Sequence, residues 1–124
     1  MTQRNKELDK KVGYGLLSSY YGALLTQRQR SMLSLYCDED LTLTEVADHL
    51  QVSRQCVGDT LQRAYERLDQ LEASLGLMKR FDLLQASMSA CRTLIIKAVN
   101  SGDKHEHLGQ ALKILDEYLE GEEQ

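Results

Sequence analysis

The sequence predicts an all-α protein of about six helices, and three observations lead there. Proline is absent, so nothing forces a helix to break. Leu, Ala, Glu, Lys, Arg and Gln are abundant, while the aromatics amount to six Tyr and one Phe; that mixture favours helix over strand. Apolar residues recur at steps of three and four, the spacing of one helix face. No strand pattern, internal repeat or low-complexity linker appears.

The polar first five residues are expected to fray. A first helix then carries the series Leu8, Val12, Leu16, Tyr20 and Leu24, with Leu17 and Tyr21 beside it, and ends near Gly22. Thr26 and Gln29 have the spacing of a capping box. They open a second helix that buries Met32, Leu33, Leu35 and Tyr36 and stops in "CDED" at 37–40. Thr42 and Glu45 repeat the capping box before a short helix whose Leu43, Val46, Ala47 and Leu50 face inward. Gln51 and Val52 form a turn, and Ser53 is a good N-cap for the next helix. There Val57, Leu61, Ala64, Leu68, Leu71 and Leu75 alternate steps of four and three, a heptad seam. Gly76 ends or bends it. A second seam follows through Leu77, Phe81, Leu84, Met88, Cys91, Ile95 and Ala98. "NSGD" at 100–103 breaks the chain before a last helix using Leu108, Ala111, Leu112, Leu115 and Leu119.

The 124 residues suffice for a modest core without staples. Residues 1–75 are read as a helix-turn-helix domain with a long third helix. Residues 76–124 are read as a C-terminal helical hairpin for packing or dimerisation, with an acidic tail, the whole forming one compact unit. The second seam can pack within one chain or across a twofold axis. A homodimer is favoured, because so much apolar content lies on extended stripes with little globular body to cover them.

Residues 41–64, "LTLTEVADHLQVSRQCVGDTLQRA", predict the helix-turn-helix itself. The first helix is short. Ala47 is the small residue where two helices cross, and Val57 sends its side chain back into the angle. Val46, Leu50, Val52 and Leu61 complete the wedge. Gln51 stands where a turn glycine is usual, at a position that often wants a left-handed backbone. If the unit meets DNA, Ser53, Arg54, Gln55, Gly58, Asp59, Gln62 and Arg63 face outward. Arg54 and Gln55 lie near the helix N-terminus, where bases are met; Arg pairs with guanine and Gln with adenine. Arg28 and Arg30 are candidate phosphate holders.

Charge pulls against that reading. The formal net charge is −4. Asp116, Glu117, Glu120, Glu122 and Glu123 crowd the last nine residues, which hold no Lys or Arg, so residues 1–115 carry 15 basic and 14 acidic groups. Within residues 26–67 five arginines face seven carboxylates, a net of −2. Non-specific DNA affinity comes from neutralised phosphates, and Asp59 sits on the exposed face itself. The acidic tail is read as a solvated helix end, with a nucleic-acid mimic as the sharper alternative.

No catalytic constellation is found, and no enzyme activity, cofactor or metal is expected. His105 and His107 are two residues apart, which points them to different helix faces. Walker A and GxGxxG loops are missing. Cys56 reads as a small packed residue, although a first-turn cysteine beside Arg54 favours thiolate; Cys91 reads as core. Three scattered cysteines without a CxxC suggest reduced thiols. The N-terminus lacks the apolar core of a signal peptide, and no run of ~20 apolar residues spans a membrane. A cytoplasmic location is expected.

The stretch from Leu16 to Phe81 resembles the YlxM-type family. The matching motifs are Leu25-Thr26-Gln27-Arg28-Gln29-Arg30 after a Tyr-rich first helix, Leu41 to Ala47, and Val52 to Val57. The lead into Lys79 and Phe81 fits as well, and the resemblance covers about residues 8–98. Two positions depart from the pattern: Cys56 stands where Ala is common, and Gly58 where a Tyr-like residue is usual. The helix-turn-helix alone also resembles the promoter-reading domain of sigma factors. The YlxM resemblance implies an all-helical, dimeric, non-enzymatic DNA-binding protein. It further implies an accessory or regulatory role toward the signal recognition particle, through its GTPase or that GTPase's receptor. The alternative is a sequence-specific transcription regulator like a sigma-factor promoter-reading domain.

Overall fold

The computed structural model describes the backbone of residues 3–102 and 104–122, and the side chains of residues 5–102 and 105–118. Six helices follow in order: α1 Gln3–Tyr21, α2 Gln27–Leu33, α3 Leu43–Leu50, α4 Arg54–Leu75, α5 Leu77–Ser101 and α6 Lys104–Glu122. No strand occurs among the described residues, so the protein is all-α. Asp103 of the expected break, Leu119 of the last helix face, and Glu120, Glu122 and Glu123 of the acidic tail lie outside the described residues or side chains, as do the polar residues 1–4.

Local chemistry sets the helix ends. Thr26 and Gln29 form a reciprocal capping box at α2, and Thr42 and Glu45 form another at α3. Each pair satisfies two N–H groups that the first turn leaves without partners. A 3-10 turn at Gly22–Leu24 separates α1 from α2, and a π turn at Ser34–Asp38 extends α2. Gly76 (φ 62°) ends α4 in the left-handed region, and Gly102 (φ 74°) does the same for α5, as glycine does most readily.

Contacts divide the chain into two compact units, Met1–Met78 and Lys79–Gln124. In the first, the core gathers Leu17, Tyr21, Leu25, Met32, Leu33, Val46, Ala47, Val57, Leu61, Ala64, Tyr65, Leu68 and Leu71. α2 and α3 both pack on α4, and α1 crosses it with Tyr14 stacked on Tyr65 at 4.0 Å between ring centroids. The start of α5 has no local cap. Instead the Leu77 N–H donates to the Tyr21 hydroxyl oxygen (2.9 Å), and the Met78 N–H donates to Glu72 Oε1 (3.1 Å). The Tyr21 O–H in turn donates to the same Glu72 oxygen. Tyr21, 56 residues back in sequence, and Glu72, in the last turn of α4, thus cap α5 together.

Two expected faces are corrected. On α1 the series Leu8, Val12 and Leu16 is 53–56% exposed, and Leu24 is exposed too. Tyr14, Leu17 and Tyr21, the row beside it, packs on α4 instead. Aromatic residues bury more area per position than leucine, so the tyrosine row wins the core. Leu75, expected at the end of the α4 seam, is the last residue of α4 and is exposed.

In the second unit Cys91, Ala98 and Ala111 are buried. The Cys91 thiol donates to the Ala111 carbonyl at 3.5 Å, so α5 meets α6 through small side chains. The expected α5 seam therefore splits. Cys91 and Ala98 turn inward and Leu84 is half-buried, whereas Leu77, Phe81, Met88 and Ile95 are exposed, as are Leu108 and Leu112 of α6.

Candidate nucleic-acid interface

The short α3 owes its length to the turn that follows. Gln51 takes φ 56°, ψ 46°, the left-handed conformation expected of a glycine there. Its N–H closes α3 on Ala47 and Asp48, and the Val52 N–H returns to the Ala47 carbonyl at 3.0 Å. A Gln in that region is less comfortable than Gly, and these bonds hold it. Ser53 then caps α4, its Oγ accepting the Cys56 N–H at 3.0 Å. Val46 and Val57 are fully buried and Ala47 nearly so, and they close the angle between α3 and α4.

This packing leaves the outer face of α4 in solvent. Ser53, Arg54, Gln55, Asp59, Gln62 and Arg63 are all exposed. Ser53, Gln55, Asp59 and Arg63 line one shallow concavity together with Cys56 and Thr60. Gln62 sits apart from it. Its amide donates to Glu66 Oε1 at 3.4 Å, and its other neighbour is a cleft between α1 and α4. Arg28 and Arg30 separate as well. Arg28 Nη2 donates to Cys56 Sγ at 3.5 Å, which places the guanidinium against the first turn of α4. Arg30 lies with Glu39 and His49 beside the end of α3 instead.

Sequence reasoning missed the other lip of α4. A cleft there is lined by Glu7, Lys10 and Lys11 of α1 against Gly58, Gln62 and Tyr65 of α4. Lys11 Nζ lies 4.1 Å from the Tyr36 ring centroid and 3.0 Å from Asp40 Oδ1. Lys10 Nζ lies 5.0 Å from the Tyr65 centroid, within cation–π range. The signal available in the sequence was the basic start of α1, Lys6, Lys10 and Lys11 against Glu7 and Asp9, but only tertiary packing brings it to α4.

Burial shapes the titration of the cleft floor. It holds the Tyr65 hydroxyl well above the ordinary tyrosine range, with further upward pushes from Cys37 and Tyr36. Burial also raises Tyr14, helped by Asp69, and raises the Cys37 thiol. In each case the folded chain keeps a proton that the unfolded chain releases. This contribution is fully present below the unfolded values, about 8.5 for Cys and about 10 for Tyr, and is lost as pH rises from there through the raised folded values. Urea midpoints measured from pH 8 upward should fall across that window, and Tyr65→Phe should flatten the decline.

Fold and site together define a helix-turn-helix protein. The comparisons with known proteins agree. Residues 8–118 match the model of the family UPF0122, described as "Putative helix-turn-helix protein, YlxM / p13 like". A UPF0122 protein of Desulforamulus reducens is 42% identical over 106 residues, covering 85% of this chain and 89% of the relative. One of Acetivibrio thermocellus is 38% identical over 114 residues, covering 91% and 96%. One of Bacillus cereus is 34% identical over 109 residues, covering 88% and 99%. The chain therefore belongs to the UPF0122, YlxM/p13-like family.

Proposed function

We propose that this protein is a non-enzymatic DNA-binding regulator that reads duplex DNA with the exposed face of α4. The supporting observation is the pairing of a firmly wedged α3–turn–α4 unit with exposed Arg54, Gln55 and Arg63. A helix held so rigidly presents its side chains to a major groove at fixed positions. Arg54, exposed in the first turn of α4, is the proposed base contact. Titration of a labelled duplex with wild type and Arg54→Ala is the test. The variant should bind ~1–3 kcal/mol more weakly and lose preference at one base position. Equal affinity on every duplex would remove α4 as the reading element.

The finer reading follows the family resemblance: an accessory or regulatory factor of the signal recognition particle, working in the cytoplasm. Among the described residues no helix is long and apolar enough to cross a membrane. A second copy of the chain is proposed as partner along the exposed residues of α5. Phe81, Met88 and Ile95 recur every seven positions, the repeat that keeps one helix face on a neighbouring helix.

A further inference from the structure

The five arginines and seven carboxylates of residues 26–67 leave α4 short of positive charge. That window omits α1, which the fold lays beside α4. Gly58 and Cys56 are two residues apart, hence ~160° apart around a 3.6-residue helix. They mark the two lips of the exposed face that carries Gln55, Asp59 and Gln62. Arg28 of α2 stands at the Cys56 lip. Lys10 of α1 stands at the Gly58 lip, in the cleft it shares with Glu7 and Lys11.

The two lysines at this lip are not equivalent. Lys11 is taken by Asp40 and is mostly covered. Lys10 is exposed, and among the described residues no carboxylate pairs with it. Gly58 adds space: a Cβ built there would meet nothing within 4 Å. A backbone strand can therefore come close to α4 at this point.

We propose that this cleft holds a phosphodiester strand of duplex DNA, with Lys10 as the phosphate contact across the reading helix from Arg28. The inference rests on the DNA-binding reading above. A helix seated in the major groove, ~12 Å wide, has a sugar–phosphate strand at each side. Arg28 alone would hold one strand, and Lys10 supplies the other. Contacts of this kind position the helix and carry no sequence preference of their own.

The test measures affinity against salt for the full chain on a mixed-sequence DNA duplex of about two helical turns. Wild type is compared with Lys10→Ala, Arg28→Ala, the double variant, Glu7→Gln and Lys113→Ala. Each lost phosphate contact should flatten the plot of log K against log salt by about 0.9, and the double variant by about 1.8. Lys113→Ala, in the other unit, should match wild type. Glu7→Gln removes a carboxylate from the cleft and should tighten binding severalfold. That gain of affinity is an effect which damage to the fold would not produce. An unchanged slope in Lys10→Ala beside a flattened one in Arg28→Ala would overturn the inference and leave the DNA-binding reading standing. So would Glu7→Gln binding no tighter than wild type. Failure of wild type to bind the duplex at all would overturn both.

Discussion

Leu17→Ala should lower the unfolding free energy by about 2–5 kcal/mol, while Leu16→Ala should change it by less than about 0.5 kcal/mol. The two leucines are neighbours on α1, yet Leu17 is 8% exposed and Leu16 is 53% exposed. Truncating Leu17 leaves a hole in the core that it shares with Tyr21 and Leu68. Neighbouring side chains fill such a hole only in part, so the cost exceeds the transfer term alone. Truncating Leu16 removes atoms that already face water. Urea denaturation of both variants reads the difference directly. Similar losses in the two would mean that α1 is rotated from the face described, with the leucine series inward after all.

The second large effect concerns α5. Met88→Glu should convert a dimer to a monomer in sedimentation at micromolar concentration while far-UV circular dichroism stays unchanged. Met88 lies midway between Phe81 and Ile95 on the exposed heptad row, so a paired helix would bury its charge against apolar neighbours. An unpaired charge in such a seam is strongly destabilising. Leu83→Glu is the control. Leu83 is 59% exposed and lies about 160° around the helix from Phe81, so it should leave the dimer intact. Wild type that sediments as a monomer, or a Met88→Glu protein that remains dimeric, would remove α5 as the self-association face.

Sequence patterns carried furthest where structure is local. Thr26 with Gln29, Thr42 with Glu45, Ser53, Gly76 and the left-handed Gln51 were all readable, because a cap or a turn is decided by residues within a few positions of one another. The α3–α4 wedge was readable for the same reason: Ala47 and Val57 lie ten positions apart. Faces set by distant partners were harder. Tyr14 and Leu8 both fall on helical rows of α1, and only the stack of Tyr14 on Tyr65, far along the chain, decides which row is buried. The α5 seam shows the same limit. Cys91 and Ala98 look like weak members of a leucine-rich stripe, yet their small size suits them to the contact with α6. The part of the α5 cap that Tyr21 supplies, from 56 residues back, has no local signature. Of the candidate interface, the exposed residues of α4 followed from periodicity. The separation of Arg28 from Arg30 and the approach of Lys10 required the packed helices.

In the proposed function α4 is the surface that meets DNA. Amide chemical shifts of the isotope-labelled full chain, followed while a duplex is added, test this most directly. The predicted result is a set of shifts concentrated at Ser53–Arg63 and at the flanking Lys10 and Arg28, fading as salt is raised. Shifts confined to residues 79–118, or shifts at α4 that ignore salt, would contradict it.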